Sequence, residues 1–193
     1  KVGFDYLKKL GFSKLSEEYD VIQPLALGGI TYGVSDLELT AAYAAIADGG
    51  QYRKPVFYTK VTDSKGNVLI DNTENKATQV FKASTASLLT NAMEDVLEKG
   101  TGVAARLDNM HAAGKTGTTN EAKDLVFAGF TPYYTAAIWA TYDTHAEFPE
   151  SDREFHKRLW AKVMNEIHEG LADMDFETSA TVQEATICTK TGL

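Results

Sequence analysis

Three strand-like stretches follow one another between Gly114 and Tyr142, and their spacing constrains the fold more than any other feature of the chain. The first is Gly114-Lys115-Thr116-Gly117-Thr118-Thr119. A polar loop, Asn120 to Asp124, separates it from Leu125 to Phe130, which ends at Thr131-Pro132; Tyr133 to Tyr142 supplies the third. The pattern predicts a three-strand antiparallel meander with Lys115 on its first strand. Alternation sends Lys115 and Gly117 to one face and Thr116 and Thr118 to the other. All of them can rim one site only if that strand borders a cleft edge-on.

A lysine ammonium beside threonine hydroxyls suits a carboxylate, because charged hydrogen bonds are roughly twice as strong as neutral ones. Glycine lets a ligand approach the backbone, and a free strand N–H can stabilise a developing oxyanion. For the triplet alone, an ordinary surface strand with a solvated lysine is the better reading. The chain has a second Lys-Thr-Gly, Lys190-Thr191-Gly192, with no strand after it and no expected role.

Helical patterns surround the meander. Phe4, Leu7 and Leu10 with Gly11 behind them predict a helix over about 2–10. An apolar, Gly-containing loop covers Val21 to Ile30. Ser35-Asp36-Leu37-Glu38 reads as a capping box that opens a helix to Asp48, apolar on nearly every side and expected to be buried. Val56 to Asp63 and Val68 to Asp71, joined by Ser64-Lys65-Gly66-Asn67, predict a hairpin. Ser84 or Thr85 is expected to cap a helix carrying Leu88, Leu89, Ala92, Met93, Val96 and Leu97, and Gly100-Thr101-Gly102 to follow as a flexible connector. From about Ser151 to Gly170, Phe155, Leu159, Val163, Met164, Ile167 and Leu171 mark a stripe that should cover the sheet, with His156 and His168 on a solvated face. Residues 171–193 read as a polar tail or linker, with Ala185 to Cys188 alone strand-like.

The 193 residues, 44% of them hydrophobic, suit one domain or a large part of one. A formal charge of −8 disfavours a nucleic-acid surface. No apolar run reaches the ~18 residues a membrane helix needs. Cys188 is the single cysteine, and His111, His145, His156 and His168 share no ligand spacing, so neither a metal nor a cofactor is expected. Glu94, Asp95 and Glu98 read as a solvated helix face.

Four blocks together resemble the transpeptidase domain of class A penicillin-binding proteins, which cross-link bacterial peptidoglycan. They are Leu25 to Ser35 with Leu37-Glu38-Leu39, Ala42 to Gly50 with Lys54-Pro55, Gly114 to Thr119, and Phe127 to Pro132 ahead of Trp139 to Asp143. The resemblance implies an α+β fold, an antiparallel sheet flanked by helices, as in penicillin-binding proteins and serine β-lactamases. It implies acyl transfer: a serine attacks a D-Ala-D-Ala bond of a stem peptide and passes the acyl group to a neighbouring amine, and β-lactam antibiotics imitate that substrate. Carried onto this sequence, it gives Lys115 the proton relay and the terminal carboxylate, and gives the Thr116 and Thr118 hydroxyls that carboxylate as well. The Thr118 N–H becomes half of an oxyanion hole, and Gly117 keeps the wall flat.

The family also uses an S-x-x-K nucleophile and an S-x-N motif. No serine here has Lys three residues on or Asn two on. The expectation is therefore residues 1–170 as the C-terminal part of the domain, with nucleophile, glycosyltransferase domain and N-terminal membrane anchor supplied upstream and the site on the extracytoplasmic face. Alone, the chain should be inactive. Where relatives commonly carry Trp, this chain has Val126. Other readings are a serine β-lactamase relative, a class B penicillin-binding protein, a receptor sensing β-lactams or muropeptides, or a structural module of a wall-assembly complex.

Overall fold

A computed structural model describes residues 1–183, 185, 186, 188, 190 and 191. In chain order its main elements are α1 (Val2–Lys9), α2 (Asp36–Ala47), β1 (Gln51–Tyr52), β2 (Lys60–Thr62), β3 (Val68–Asp71), β4 (Thr78–Gln79), α3 (Ala83–Glu98), β5 (Ala113–Thr118), β6 (Asp124–Phe130), β7 (Thr135–Thr141) and α4 (Phe155–Ile167). The meander forms as an antiparallel sheet in the order β5-β6-β7, and β1-β4 and β2-β3 make two small antiparallel pairs. The β2-β3 turn closes on Asp63, whose carboxylate accepts from the Lys65 and Asn67 amides while Gly66 takes φ +85°.

The pleat sorts the core. Phe127 on β6 is fully buried and meets Trp160 of α4 edge-on at 4.9 Å, within a cluster that includes Leu97, Leu107, Met110 and Met164. Phe130 faces the other side, with Ala113, Met93 of α3 and the half-buried Tyr43 and Ile46 of α2. Helices thus cover both sheet faces, α4 on one and α2 on the other, while α3 contributes to both clusters. Burial on this scale stabilises by roughly 1.5–3 kcal/mol for each large apolar side chain. Leu10, Phe12, Ala42, Ala45 and Val80 form a satellite cluster that seats α1 on α2. Between those helices, buried Asp20 accepts from the Ser16 and Thr31 amides and the Thr31 hydroxyl, which holds its carboxyl below the usual range and ties the 16–31 loop shut.

Several expectations need correction. The Ser35 capping box forms, but only Ala41, Ala42 and Ala45 of α2 are buried and Leu37 is exposed. α3 starts at Ala83 behind Lys82, with no side-chain cap, so Ser84 and Thr85 lie inside its first turn and cap nothing. Leu88 and Leu89 are exposed, and of Val56 to Asp63 only Lys60–Thr62 pairs as strand. The phase of α4 also differs. His156, Lys157, Trp160, Ala161 and Met164 face inward, leaving Leu159, Val163 and Ile167 each about 45% exposed in a line.

His156 and His168 are therefore not on a solvated face. His168 Nδ1 donates to Met164 O at 2.6 Å, which leaves Nε2 to accept the Thr131 hydroxyl proton at 2.7 Å. Thr131 Oγ1 also accepts from the Tyr133 and Tyr134 amides, which fixes the β6-β7 turn. His156 is 2% exposed with neither ring nitrogen partnered among the described residues. Burial, assisted by Lys157, pushes its pKa below 6.5, so the unfolded chain takes up a proton that the folded one refuses. The stability this neutral ring retains at neutral pH is expected to drain away as pH falls below about 6.5. His156→Phe should raise the melting temperature and flatten its decline between pH 7 and pH 5, as followed by thermal unfolding.

Residues 171–179 run back over α3. Phe176 meets Phe130 edge-on at 5.4 Å, the Ser179 amide donates to Ser87 Oγ, and His111 bridges Asp173 and Asp175 at 3.0 and 3.1 Å. The strand expected over Ala185 to Cys188 includes Ile187, and the second Lys-Thr-Gly includes Gly192; both of these residues lie outside the described ones.

Candidate active site

β5 has β6 on one side and no strand on the other among the described residues. β5 is thus an edge strand, which is the pairing that a site shared by Lys115 and Thr116 requires. Lys115 pairs across the ladder with Ala128 and Thr116 with Phe127, so the two side chains leave opposite faces. The backbone directions follow from one bond. The Thr119 N–H donates to Asp124 O at 3.2 Å and so points at β6. Alternation then turns the N–H and C=O of Thr118 and Thr116 toward the open edge.

Lys115 Nζ curls onto that same edge. It donates to Thr116 O at 3.1 Å and Thr116 Oγ1 at 3.3 Å, and it forms no salt bridge among the described residues. The ammonium is exposed, and so is Thr118, while Thr116 and Gly117 are half-buried. Lys115 and the outward groups of Thr116 and Thr118 therefore converge on one line. An ammonium, two hydroxyls and an outward amide can hold an anion and stabilise an oxyanion beside it.

The two glycines of this strand differ. A Cβ on Gly114 would stand 2.6 Å from Phe127 Cζ, so the core requires its glycine. A Cβ on Gly117 would meet only Val126 Cβ at 3.5 Å, an ordinary contact. Nothing among the described residues demands glycine there.

The far end of β5 is clasped. Thr119 Oγ1 accepts from the Asp124 amide at 2.8 Å and donates to Asp124 Oδ2, and Asp124 also takes Trp139 Nε1 and His145 Nε2. Burial works against the Asp124 charge, but these hydrogen bonds outweigh it and hold the carboxyl below its usual range. Between the clasped ends, Glu121 and Ala122 take φ +61° and +50°, left-handed geometry that costs a non-glycine residue of order 1 kcal/mol.

Sequence reasoning missed two neighbours. Thr101 Oγ1 lies 2.7 Å from Thr116 Oγ1, and Lys157 Nζ of α4, 7% exposed, donates to Thr101 O at 3.0 Å. Gly100-Thr101-Gly102 is no flexible connector: the Gly102 amide donates to Val96 O at 2.8 Å, and Cβ atoms on either glycine would crowd Val96. The available signal was a threonine set between two glycines directly after a helix.

The sequence matches the family model described as the penicillin binding protein transpeptidase domain over residues 3–169. The chain belongs to the penicillin-binding protein transpeptidase family. Among its curated relatives, penicillin-binding protein 1A of Clostridium perfringens is 34% identical over 86% of this chain and 19% of its own length. Penicillin-binding protein 4 of Bacillus subtilis is 40% identical over 73% of this chain and 22% of its own length. The chain thus spans about a fifth of these relatives. Among solved structures, penicillin-binding protein 1A of Haemophilus influenzae gives a TM-score of 0.79 at 20% identity, covering 98% of this chain and 34% of that one. The Mycobacterium tuberculosis PonA1 protein in complex with penicillin V gives 0.75 at 24% identity, covering 89% and 50%. The antiparallel α+β fold is that of these transpeptidase domains. No helix among the described residues is long and apolar enough to cross a membrane.

Proposed function

We propose that this chain is the carboxylate-binding wall of a serine-type D-Ala-D-Ala transpeptidase that cross-links peptidoglycan stem peptides and is acylated by β-lactams. The observation that carries this reading is the exposed β5 edge, where an ammonium with no carboxylate partner among the described residues stands beside outward backbone groups. Lys115 receives the anionic terminus and takes part in the proton relay; Thr116 and Thr118 donate hydroxyls to the carboxylate. The Thr118 N–H supplies one oxyanion donor, and Gly117 admits the peptide.

The attacking serine comes from polypeptide upstream of Lys1, together with S-x-N and, in a bifunctional parent, a glycosyltransferase domain and membrane anchor that place the site outside the membrane. Residues 1–170 form the C-terminal part of the transpeptidase domain and 171–193 a polar tail or the start of a linker, of which 171–179 lie over α3. The rest of the domain is also what would cover the outer edge of β7, unpaired among the described residues, and the exposed Leu159, Val163 and Ile167 line on α4. A nucleophile and its base must stand within about 3 Å of each other, so residues 1–193 alone do not assemble the reaction.

Fluorescent penicillin should label the full-length protein and leave residues 1–193 unlabelled. Gly117→Val in the full-length protein should keep its melting temperature, since the strand backbone has room for a side chain, yet slow labelling by about tenfold or more by blocking close approach. Labelling of the short chain, or a Gly117→Val protein that reacts normally, contradicts the reading. A full-length protein that folds but lacks the serine and never labels would favour a receptor.

A further inference from the structure

We infer that Thr101 is a positioning residue for the substrate carboxylate, donating its hydroxyl proton to Thr116 so that Thr116 turns its own proton to the anion. The inference rests on the β5 reading proposed above and adds to it a residue from outside the strand. Thr116 Oγ1 has one proton and two lone pairs to distribute. Lys115 Nζ donates to it at 3.3 Å, and Thr101 Oγ1 lies 2.7 Å away, able either to donate or to accept. If Thr101 accepts, the Thr116 proton is consumed inside the protein and nothing is left for a ligand. If Thr101 donates, both lone pairs of Thr116 are filled and its proton has only the open edge to serve. An ionised carboxylate can only accept, so its arrival selects the second arrangement. The chain Thr101 to Thr116 to carboxylate then polarises along its length, and each bond strengthens the next.

The backbone around Thr101 is built to hold that hydroxyl still. Its carbonyl receives the ammonium of Lys157, a nearly buried charge that also pairs with Glu154. The next amide, of Gly102, donates to Val96 O. A Cβ on Gly100 would lie 2.8 Å from Val96 Cα and one on Gly102 3.0 Å from Val96 Cγ1, so the two glycines let this connector approach α3 more closely than other residues allow. Thr101 itself is exposed. Its exposure sets the hydroxyl outside the hydrophobic core.

The test compares acylation of the full-length protein by a penicillin and by the methyl ester of the same penicillin, in which the carboxylate is capped. Thr101→Val, of nearly the same shape, should slow reaction with the free acid about five- to tenfold, the worth of one hydrogen bond, with little change toward the ester. Thr101→Ser should stay within about twofold of the parent on both. Thr101→Ala repeats the comparison should the valine variant fold poorly. The inference is overturned if Thr101→Val and Thr101→Ala slow acid and ester alike, or slow neither, while Thr116→Val abolishes the preference for the acid. If Thr116→Val and Lys115→Ala also leave that preference intact, the β5 reading fails first and takes this one with it.

Discussion

Lys115→Ala is expected to lower the second-order rate constant for penicillin acylation of the full-length transpeptidase by about 10²- to 10³-fold, with its melting temperature moved by no more than a degree or two. The two halves of that expectation have separate causes. Lys115 is exposed, and among the described residues its side chain bonds only to Thr116 O and Oγ1 of the neighbouring residue. The folded state therefore gains little from it, as for surface charges in general. In the role proposed for Lys115, the reacting complex loses the ammonium that attracts the anionic terminus and stabilises proton transfer there. Lys115→Arg should recover little of the rate, because a planar fork does not replace a compact ammonium at the same point. Stopped-flow or gel-based labelling at several penicillin concentrations measures the rate; a loss below about tenfold would remove Lys115 from the proton relay.

Trp160→Ala should be the most damaging single change to the fold, costing about 3–5 kcal/mol. Trp160 is 1% exposed, meets Phe127 edge-on at 4.9 Å, and donates its indole N–H to Ala136 O at 3.0 Å. Truncation removes the ring that fastens α4 to both β6 and β7 and leaves a cavity above Gly129, whose missing side chain is what admits the indole: a Cβ there would stand 2.9 Å from Trp160 Cζ2. Against a total stability of about 5–15 kcal/mol, a loss of this size removes much of the folded population. Leu159→Ala, one residue earlier on the helix and 45% exposed, should cost well under 1 kcal/mol in this chain. Denaturant unfolding of the two variants side by side measures the contrast, and equal losses would mean that the helix packs in the other phase.

That phase marks the limit of what the sequence could tell. The meander, the Ser35 capping box, the short first helix with Gly11 behind it and the turn at Asp63 were all legible, because each is a local pattern whose period or turn chemistry is written in adjacent residues. Burial was not. On α4 a count of apolar residues favours the Leu159, Val163 and Ile167 line, yet the helix turns Trp160 and Met164 inward and takes His156, Lys157 and His168 with them. Lys157 can be buried because Thr101 O and Glu154 receive its ammonium, and His168 because Thr131 and Met164 satisfy both ring nitrogens. Thr101 and Thr131 lie 56 and 37 residues from the side chains they satisfy, beyond any window on a single segment.

The site shows the same division. Lys115, Thr116, Gly117 and Thr118 share one strand, so their alternation could be stated in advance together with the edge condition it imposes. Thr101 lies 15 residues before Thr116 and meets it only once Gly100 and Gly102 fold the connector onto Val96. Its hydroxyl reaches Thr116 by tertiary placement, which no spacing rule encodes.

The most direct measurement is to react the full-length protein with penicillin, digest it and locate the penicilloyl mass. The account predicts one adduct, on a serine outside residues 1–193 followed three residues later by lysine, formed far more slowly once Lys115 is alanine. An adduct on any residue within 1–193, or an upstream adduct forming at an unchanged rate in the Lys115→Ala protein, would contradict it.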